Sequence, residues 1–330
     1  MTAALPKPTV VGEPPEGVRL RPATDDDIPV CGTIWRDALN DYMGRLNLPP
    51  IPEELGPIRR LHGHLHATDP DRFWVATRAG TGPGEVGEPI GFGAATRRDR
   101  VWFLSMLFVR PGEQGGGIGR ALLARLLPTD DAVLATGTDR APPISNALYA
   151  GVGIVPRMPL LGLIGHAERP DALGTLPSGV GAVPFEEAGG VPSDTDGHRA
   201  LAGAVDALDR EVAGFAHPED HRFLRAEGRR GFLYRGPDGA VLGYGYASEV
   251  GRVGPVAVRD EALLGPVVGH LLGAVPPRGA SAVWVPGEAD GVVVGLLQAG
   301  LRLDGFPVLL CWSRPFADFR RYLPISPGLL

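Results

Sequence analysis

Cysteine is scarce. Cys31 and Cys311 are the only two in 330 residues, far apart in segments that read as buried, so neither a disulfide framework nor a metal cluster is indicated and a reducing compartment fits. No dense block of Lys or Arg occurs in a chain with 32 basic and 38 acidic residues and a formal net charge of −6. The electrostatic footprint of a nucleic-acid binder or an anionic-membrane binder is therefore missing. No apolar run approaches bilayer length, and the opening MTAALPKPTVVGEPPEG has neither a charged n-region nor an apolar h-region, so it reads as a loose, Pro-rich lead-in to a cytoplasmic protein. No serine stands in Gly-x-Ser-x-Gly context, which leaves α/β-hydrolase chemistry without a foothold. What is present is an ordinary apolar content of 44% on a chain long enough for two cores.

From Val18 the pattern becomes regular. VRLRPA alternates as a strand, and TDDDIPVCGTIWRDALNDY opens with Thr24 and three aspartates placed to cap a helix and complement its dipole. A second helix is expected across EELGPIRRLHGHLHATD. Then RFWVATRAG, EPIGFGAATRRD and VWFLSMLFV read as three antiparallel strands. A glycine loop, the helix GIGRALLARLL, the strand DAVLATG, the short helix ISNALYAG and a strand near RMPLLGLIG complete the order β-α-α-β-β-β-α-β-α-β. The expected fold class is α+β, a mixed and mostly antiparallel sheet flanked by helices. Residues 166–177 lose periodicity to Pro, Gly and charge and are expected to be a linker between a first domain, 18–165, and a second, 178–330. The second domain repeats the order of the first, with LGYG standing for IGFG and AVRD for FVRP, which implies an internal duplication.

The segment LFVRPGEQGGGIGRALLARLL carries the chemistry. Backbone N–H groups at a helix N-terminus lack intrahelical partners and sit at the positive end of the dipole, so a glycine-rich entry can wrap phosphate oxygens. A Walker A loop is excluded because no Lys-Ser/Thr follows, and a dinucleotide fingerprint is disfavoured because the preceding strands form a meander rather than a βαβ unit. A flexible turn without a ligand is the plainer alternative.

QGGGIG, from Gln114 to Gly119, resembles the Gln/Arg-x-x-Gly-x-Gly/Ala pattern of the GNAT superfamily of acetyl-CoA-dependent N-acetyltransferases. LFVRP upstream is similar to the end of that family's fourth strand. SNALYAGVGI downstream is similar to its Asn-x-x-apolar-Tyr segment. The resemblance implies a tandem arrangement of two GNAT-like domains, with acetyl-CoA as co-substrate and an amine-bearing substrate as acceptor; no metal is expected from the cysteines and histidines present, and the oligomeric state stays open. It implies that the backbone of Gln114, Gly115, Gly116, Gly117, Ile118 and Gly119, with Arg120, holds the pyrophosphate. Leu107, Phe108 and Val109 would pair with the pantetheine arm, and Asn146 would face it. Tyr149 matches the general acid that protonates the departing thiolate, a role a phenol can fill near neutral pH; a half-buried helix tyrosine is the alternative. No Glu occupies the fourth strand, where many relatives keep a base. Ser105, to position a water, and Asp41 or Tyr42, to reach the amine, are the substitutes at hand. A catalytically silent acyl-CoA binder, and a nucleotide-type phosphate binder outside the family, are the competing readings.

His62 and His66 share a helix face at a metal-pair spacing, but no Glu and no further ligand cluster accompanies them, so a surface or lid role is expected. In the second domain, EALLGPVVGHLL puts Glu261 where the first has Gln114, keeps only Gly265 of the glycine series and carries Pro266 inside the turn. The expectation is a degenerate GNAT-like domain without a pyrophosphate site. Asp206, Asp209 and Glu211 on VDALDREVAG read as a solvated helix face, with attraction of a cationic amine as the sharper alternative.

Overall fold

The computed structural model describes residues 12–79, 86–140, 143–188, 196–305 and 308–330. It divides into two compact units, Met1–Thr136 with Ala141–Val155, and Gly137–Arg140 with Pro156–Leu330.

In the first unit the order is β1 (Val18–Pro22), α1 (Ile28–Arg45), α2 (Gly56–Thr68), β2 (Phe73–Ala79), β3 (Val86–Arg98), β4 (Val101–Val109), α3 (Ile118–Leu126), β5 (Val133–Asp139) and α4 (Pro143–Ala150). The sheet runs β1-β2-β3-β4-β5. Its first three pairings are antiparallel and β4–β5 is parallel. Helix α1 begins as the aspartates require: Thr24 N–H and Oγ1 donate to Asp27 Oδ2 at 2.8 and 2.9 Å, and Asp27 also takes a two-pronged pair from Arg21. Burial works against the Asp27 charge, but Arg21 and Thr24 outweigh it and hold the carboxyl below its ordinary range.

Alternation along β3 explains the motif IGFG. Adjacent residues point to opposite faces of a sheet. A Cβ on Gly93 would meet Leu126 of α3 at 2.6 Å, while Phe92 packs its ring 5.0 Å from that of His62 on α2. Glycine lets α3 approach one face and the aromatic fills the other.

His62 is thus a core residue, not a surface or lid residue. It is fully buried among Phe73 and Phe92 with neither ring nitrogen hydrogen-bonded, and burial pushes it down to about 3. His66 is partly buried and ties α2 to the chain before α1, contacting Asp25 Oδ1 and Ala23 O at 3.1 Å each.

The second unit contains β6 (Val155–Gly165), β7 (Gly181–Pro184), α5 (Phe185–Ala188), α6 (Asp196–Val212), α7 (Pro218–Ala226), β8 (Arg230–Arg235), β9 (Val241–Ala247), β10 (Arg252–Val258), α8 (Leu264–Ala274), β11 (Ser281–Pro286), α9 (Asp290–Ala299), β12 (Arg302–Leu303), β13 (Val308–Trp312) and β14 (Tyr322–Leu323). Its strands follow the order β13-β6-β11-β10-β9-β8-β7, with β12 on β6 and β14 on β10. The run β8-β9-β10-α8-β11-α9 repeats β2-β3-β4-α3-β5-α4, and LGYG repeats the logic of IGFG. A Cβ on Gly245 would meet Leu271 of α8 at 2.7 Å, whereas Tyr244 and Tyr246 point the other way, to α6 and α7.

Two expectations about the junction change. The strand at 155–165, read as the end of the first domain, pairs from Leu160 to Gly165 with β11 and from residue 156 onward groups with the second unit. The segment read as a linker, 166–177, contains a 3-10 turn at Pro170–Leu173, and Leu173 is buried in the second unit's core with Leu264, Val268 and Leu296. Gly265 and Gly269 of α8 are small for that reason: a Cβ there would come within 2.7 Å of Leu173 O and 2.8 Å of Pro170 O. Both cysteines are buried and free.

Two outcomes follow. Since the folded chain holds His62 neutral down to about pH 3 while the unfolded chain takes up its proton near pH 6.5, stability is full above pH 6.5 and falls as pH drops through that window. The slope approaches about 1.4 kcal/mol per pH unit. His62→Leu should remove this loss, and by pH 5 thermal melts should show the variant gaining about 2 kcal/mol on the parent relative to pH 7; identical pH dependences would mean that His62 titrates normally. Gly269→Ala should cost roughly 1–3 kcal/mol, because the obstacle is backbone that cannot rotate away; an unchanged Tm would show that the turn at 170–173 does not lie on α8.

Candidate active site

The site in the first unit begins where two strands part. Parallel pairing of β4 with β5 runs from Val101↔Val133 to Leu104↔Thr136, where Thr136 Oγ1 donates to Leu104 O at 2.8 Å. Between the pairs Ala94↔Met106 and Ala95↔Leu104 the β3–β4 ladder slips by one residue, so Ser105 is the extra residue of a β-bulge. A bulge bends its strand and re-aims a side chain. Here it falls where β4 leaves β5. Ser105 is 8% exposed. Leu107, Phe108 and Val109 are half-buried, and among the described residues only β3 pairs with them.

The glycine loop follows. A 3-10 turn at Pro111–Glu113 is pinned by Arg78, whose Nη2 donates to Glu113 Oε2 at 2.6 Å, and Gln114 Nε2 donates back to Val109 O at 2.9 Å. Gln114 through Gly117 are exposed, Ile118 is buried as the first residue of α3, Gly119 is half-buried and Arg120 is exposed. The glycines do not share one cause. Gly115 and Gly117 have φ of +85° and +94°, which side chains rarely adopt. Gly116 and Gly119 do not, and a Cβ on either would find nothing nearer than 4.0 and 3.9 Å. Neither φ nor packing gives these two a reason to be glycine. The lead-in before Val18 is ordered where it passes this loop, since a Cβ on Gly12 would strike Arg120 O and the Gly117 Cβ position is 3.8 Å from Pro15. Residues 1–11 lie outside the described residues.

Asn146 and Tyr149 sit on α4 in the same unit, Asn146 half-buried and Tyr149 7% exposed. The carbonyl of Tyr149 accepts from Val152 and Ile154 at 3.0 Å, which fixes the end of that helix. Asp41 and Tyr42 lie in the last two turns of α1. Asp41 is engaged by Arg45 one turn on, at 2.6 Å.

In the second unit the corresponding edge is closed by the chain itself. Parallel pairing of β10 with β11 covers Arg252 and Val253, after which Val256 and Ala257 pair with Leu323 and Tyr322 of β14, and Val258 N–H donates to Arg321 O at 3.0 Å.

Reading the sequence missed a cluster in that unit. Asp209, expected on a solvated face, is fully buried, whereas Glu211 is exposed and pairs with Arg259 and Arg321. Asp209 Oδ2 lies 2.9 Å from His221 Nε2 and 3.4 Å from His217 Nε2, and these are the described residues whose donor atoms converge closely enough to hold a metal ion. Burial opposes the charge on both histidines. At His217 the Asp209 and Asp220 carboxylates outweigh it and raise the pKa, while at His221 burial and the neighbouring His217 prevail and lower it. The expectation of no metal rests on the two distant cysteines and on the unaccompanied pair His62 and His66; the sequence feature that marks this cluster is His217 and His221, four apart in AHPEDH.

Comparison with known proteins agrees with this geometry. Residues 69–153, from before β2 to just beyond α4, match the family model described as acetyltransferase (GNAT) domain. No curated protein matches the chain. Among solved structures, a provisionally assigned acetyltransferase from Pyrococcus horikoshii is similar over 97% of this chain and 98% of its own, with a TM-score of 0.70 at 16% identity. A GCN5-related N-acetyltransferase from Sphaerobacter thermophilus is similar over 94% and 100%, with a TM-score of 0.58 at 17% identity. A tandem GNAT protein from the clavulanic acid biosynthesis pathway is similar over 90% and 99%, with a TM-score of 0.52 at 17% identity. Residues 69–153 therefore match a GNAT domain, and the chain as a whole shares its fold with tandem GNAT proteins.

Proposed function

We propose that the first unit transfers an acetyl group from acetyl-CoA to an amine, and that the second unit holds no cofactor. The observation that carries this reading is the pair Gly116 and Gly119, two glycines that neither φ nor packing requires, on open backbone at the start of α3. Amides of the loop, with Arg120, would bind the pyrophosphate. The pantetheine amides would extend the sheet along the open side of Leu107, Phe108 and Val109. That strand-like pairing would bring the thioester to the gap beyond Leu104, next to the bulge at Ser105.

A neutral amine attacks the thioester carbonyl, the nitrogen of the tetrahedral intermediate gives up a proton to water, and collapse of the oxyanion breaks the C–S bond so that the thiolate leaves with a proton from a donor. Tyr149 is the assigned donor of that proton. A phenol ordinarily keeps its proton at neutral pH, and Tyr149 is buried in the same unit. With Asp41 held by Arg45 and no carboxylate on β4, the amine is assigned to arrive neutral or to lose its proton through water, with Ser105 as a residue that can orient it. The acceptor's identity belongs to loops that the fold does not dictate.

The second unit's equivalent groove is filled from within. β14 takes the edge of β10, and the turn at 170–173 lies on the start of α8. This supports a scaffolding role for that unit.

Alanine at Gly116 and Gly119 tests the reading, because the fold has room for both methyl groups and a helix favours Ala over Gly by about 1 kcal/mol. The double variant should keep or raise its Tm, yet lose at least about tenfold in acetyl-CoA affinity as the methyls occupy phosphate space. Tyr149→Phe should bind acetyl-CoA as the parent does and turn over about 10²–10⁴-fold more slowly against a responsive amine. Undiminished affinity in the alanine variant would remove the loop from the site. Binding without transfer to any amine in a broad panel would favour a silent acyl-CoA binder.

A further inference from the structure

The cluster inside the second unit has a composition that neither the acetyl-transfer site nor ordinary core packing calls for. Asp209 comes from α6, His217 stands just before α7, His221 lies one turn into it, and Tyr244 and Tyr246 come from β9. Asp209 and His217 are completely buried, and His221 and Asp220 nearly so.

We propose that Asp209 Oδ2, His217 Nε2 and His221 Nε2 are three ligands of a buried divalent transition-metal ion, of the kind that favours imidazole and carboxylate, with zinc the first expectation. Ligands at about 2.0–2.1 Å from a tetrahedral centre stand about 3.3 Å from one another. The separations of 3.4 Å from Asp209 Oδ2 to His217 Nε2 and 2.9 Å to His221 Nε2 bracket that edge, and one donor atom from each of the three residues lies within 4.8 Å of the others. The fourth position falls to an oxygen, and the Tyr244 hydroxyl, 3.4 Å from His217 Nε2, is the one at hand.

The surroundings fit a metal better than a purely hydrogen-bonded core. A metal-bound imidazole turns its other N–H to an oxygen acceptor, which fixes the ring and its tautomer. His221 Nδ1 faces Tyr246 Oη at 3.0 Å, and His217 Nδ1 faces Asp220 Oδ2 at 3.6 Å, a contact too long to satisfy that nitrogen by itself. Tyr244 donates to Asp209 Oδ1 at 2.6 Å, which holds the carboxylate with Oδ2 turned toward both histidines. Charge points the same way. A dication with two neutral imidazoles and the carboxylates of Asp209 and Asp220 sums to zero, whereas one protonated histidine beside the same carboxylates leaves a buried negative charge. Softer thiolate-seeking ions are disfavoured because no sulfur is among the donors. An ion with no exposed ligand is a structural one. It would fasten α6 and the start of α7 to β9, on the side of that strand opposite α8.

The test uses the full chain, expressed without a polyhistidine tag. Elemental analysis should find about one zinc per chain. Chains unfolded in dipicolinate and refolded without metal should melt at least about 4 °C lower than chains refolded with Zn²⁺. Refolding with Co²⁺ should give the visible d–d bands of a four-coordinate centre. Asp209→Asn and His221→Ala should abolish both the metal content and the Zn²⁺-dependent gain in Tm. Should either variant fail to fold, the cobalt spectrum of the parent chain decides. A parent chain with less than about a tenth of an equivalent of metal, melting identically with and without Zn²⁺ and giving no cobalt bands, would overturn the proposal. Full metal content in a folded Asp209→Asn chain would overturn it equally.

Discussion

The first unit depends on the separation of two parallel strands. Up to Leu104 and Thr136, β4 and β5 share a ladder; beyond that point β4 carries a bulge and an edge that no strand of the sheet takes up among the described residues. An unpaired strand edge is costly to leave facing an apolar groove, and a ligand with amide groups along its length is a natural partner for it. In the proposed site the loop after the strand, the helix that begins at Ile118 and the tyrosine on α4 are all assigned to that gap. Had β5 continued beside β4, the same glycines would open onto a closed sheet.

The second unit meets the same constraint in another way. Its parallel pair parts after Val253, and the vacated side of β10 is taken by Tyr322 and Leu323 near the chain's end. The start of its helix is covered by the backbone of Pro170–Leu173, and Gly265 and Gly269 admit that backbone rather than an anion. Two copies of one architecture thus diverge by what fills the gap: chain in one, an open edge in the other. The proposal that the second unit holds no cofactor draws less on Glu261 and Pro266 than on β14 and the turn at 170–173, which no local motif announces.

This contrast also marks what the sequence could and could not disclose. Capping by Thr24 and Asp27, the meander, the glycine loop and the repeated Gly-aromatic-Gly strand were legible, because each follows from spacing within one element. The burial of His62 was not, since a histidine on an amphipathic helix takes either face and only the sheet decides. Asp209 was misjudged for the same reason: the acidic run that includes Glu211 hides one inward position among outward ones. Residues 166–177 looked like a linker because Pro and Gly interrupt periodicity, yet Leu173 is enough to bind such a segment to a core. The role of β14 rests on pairing with a strand more than sixty positions earlier, as Ala257↔Tyr322 shows, and no periodicity reports that.

The central claim is that one gap is open and the other is filled by the protein. Isothermal titration of the intact chain with acetyl-CoA tests it most directly. The account predicts a stoichiometry of about one per chain, with affinity at least about tenfold weaker once Gly116 and Gly119 are alanine. A stoichiometry near two, or undiminished affinity after those substitutions, would contradict it, because the cofactor would then have to displace β14 or bind somewhere other than the glycine loop.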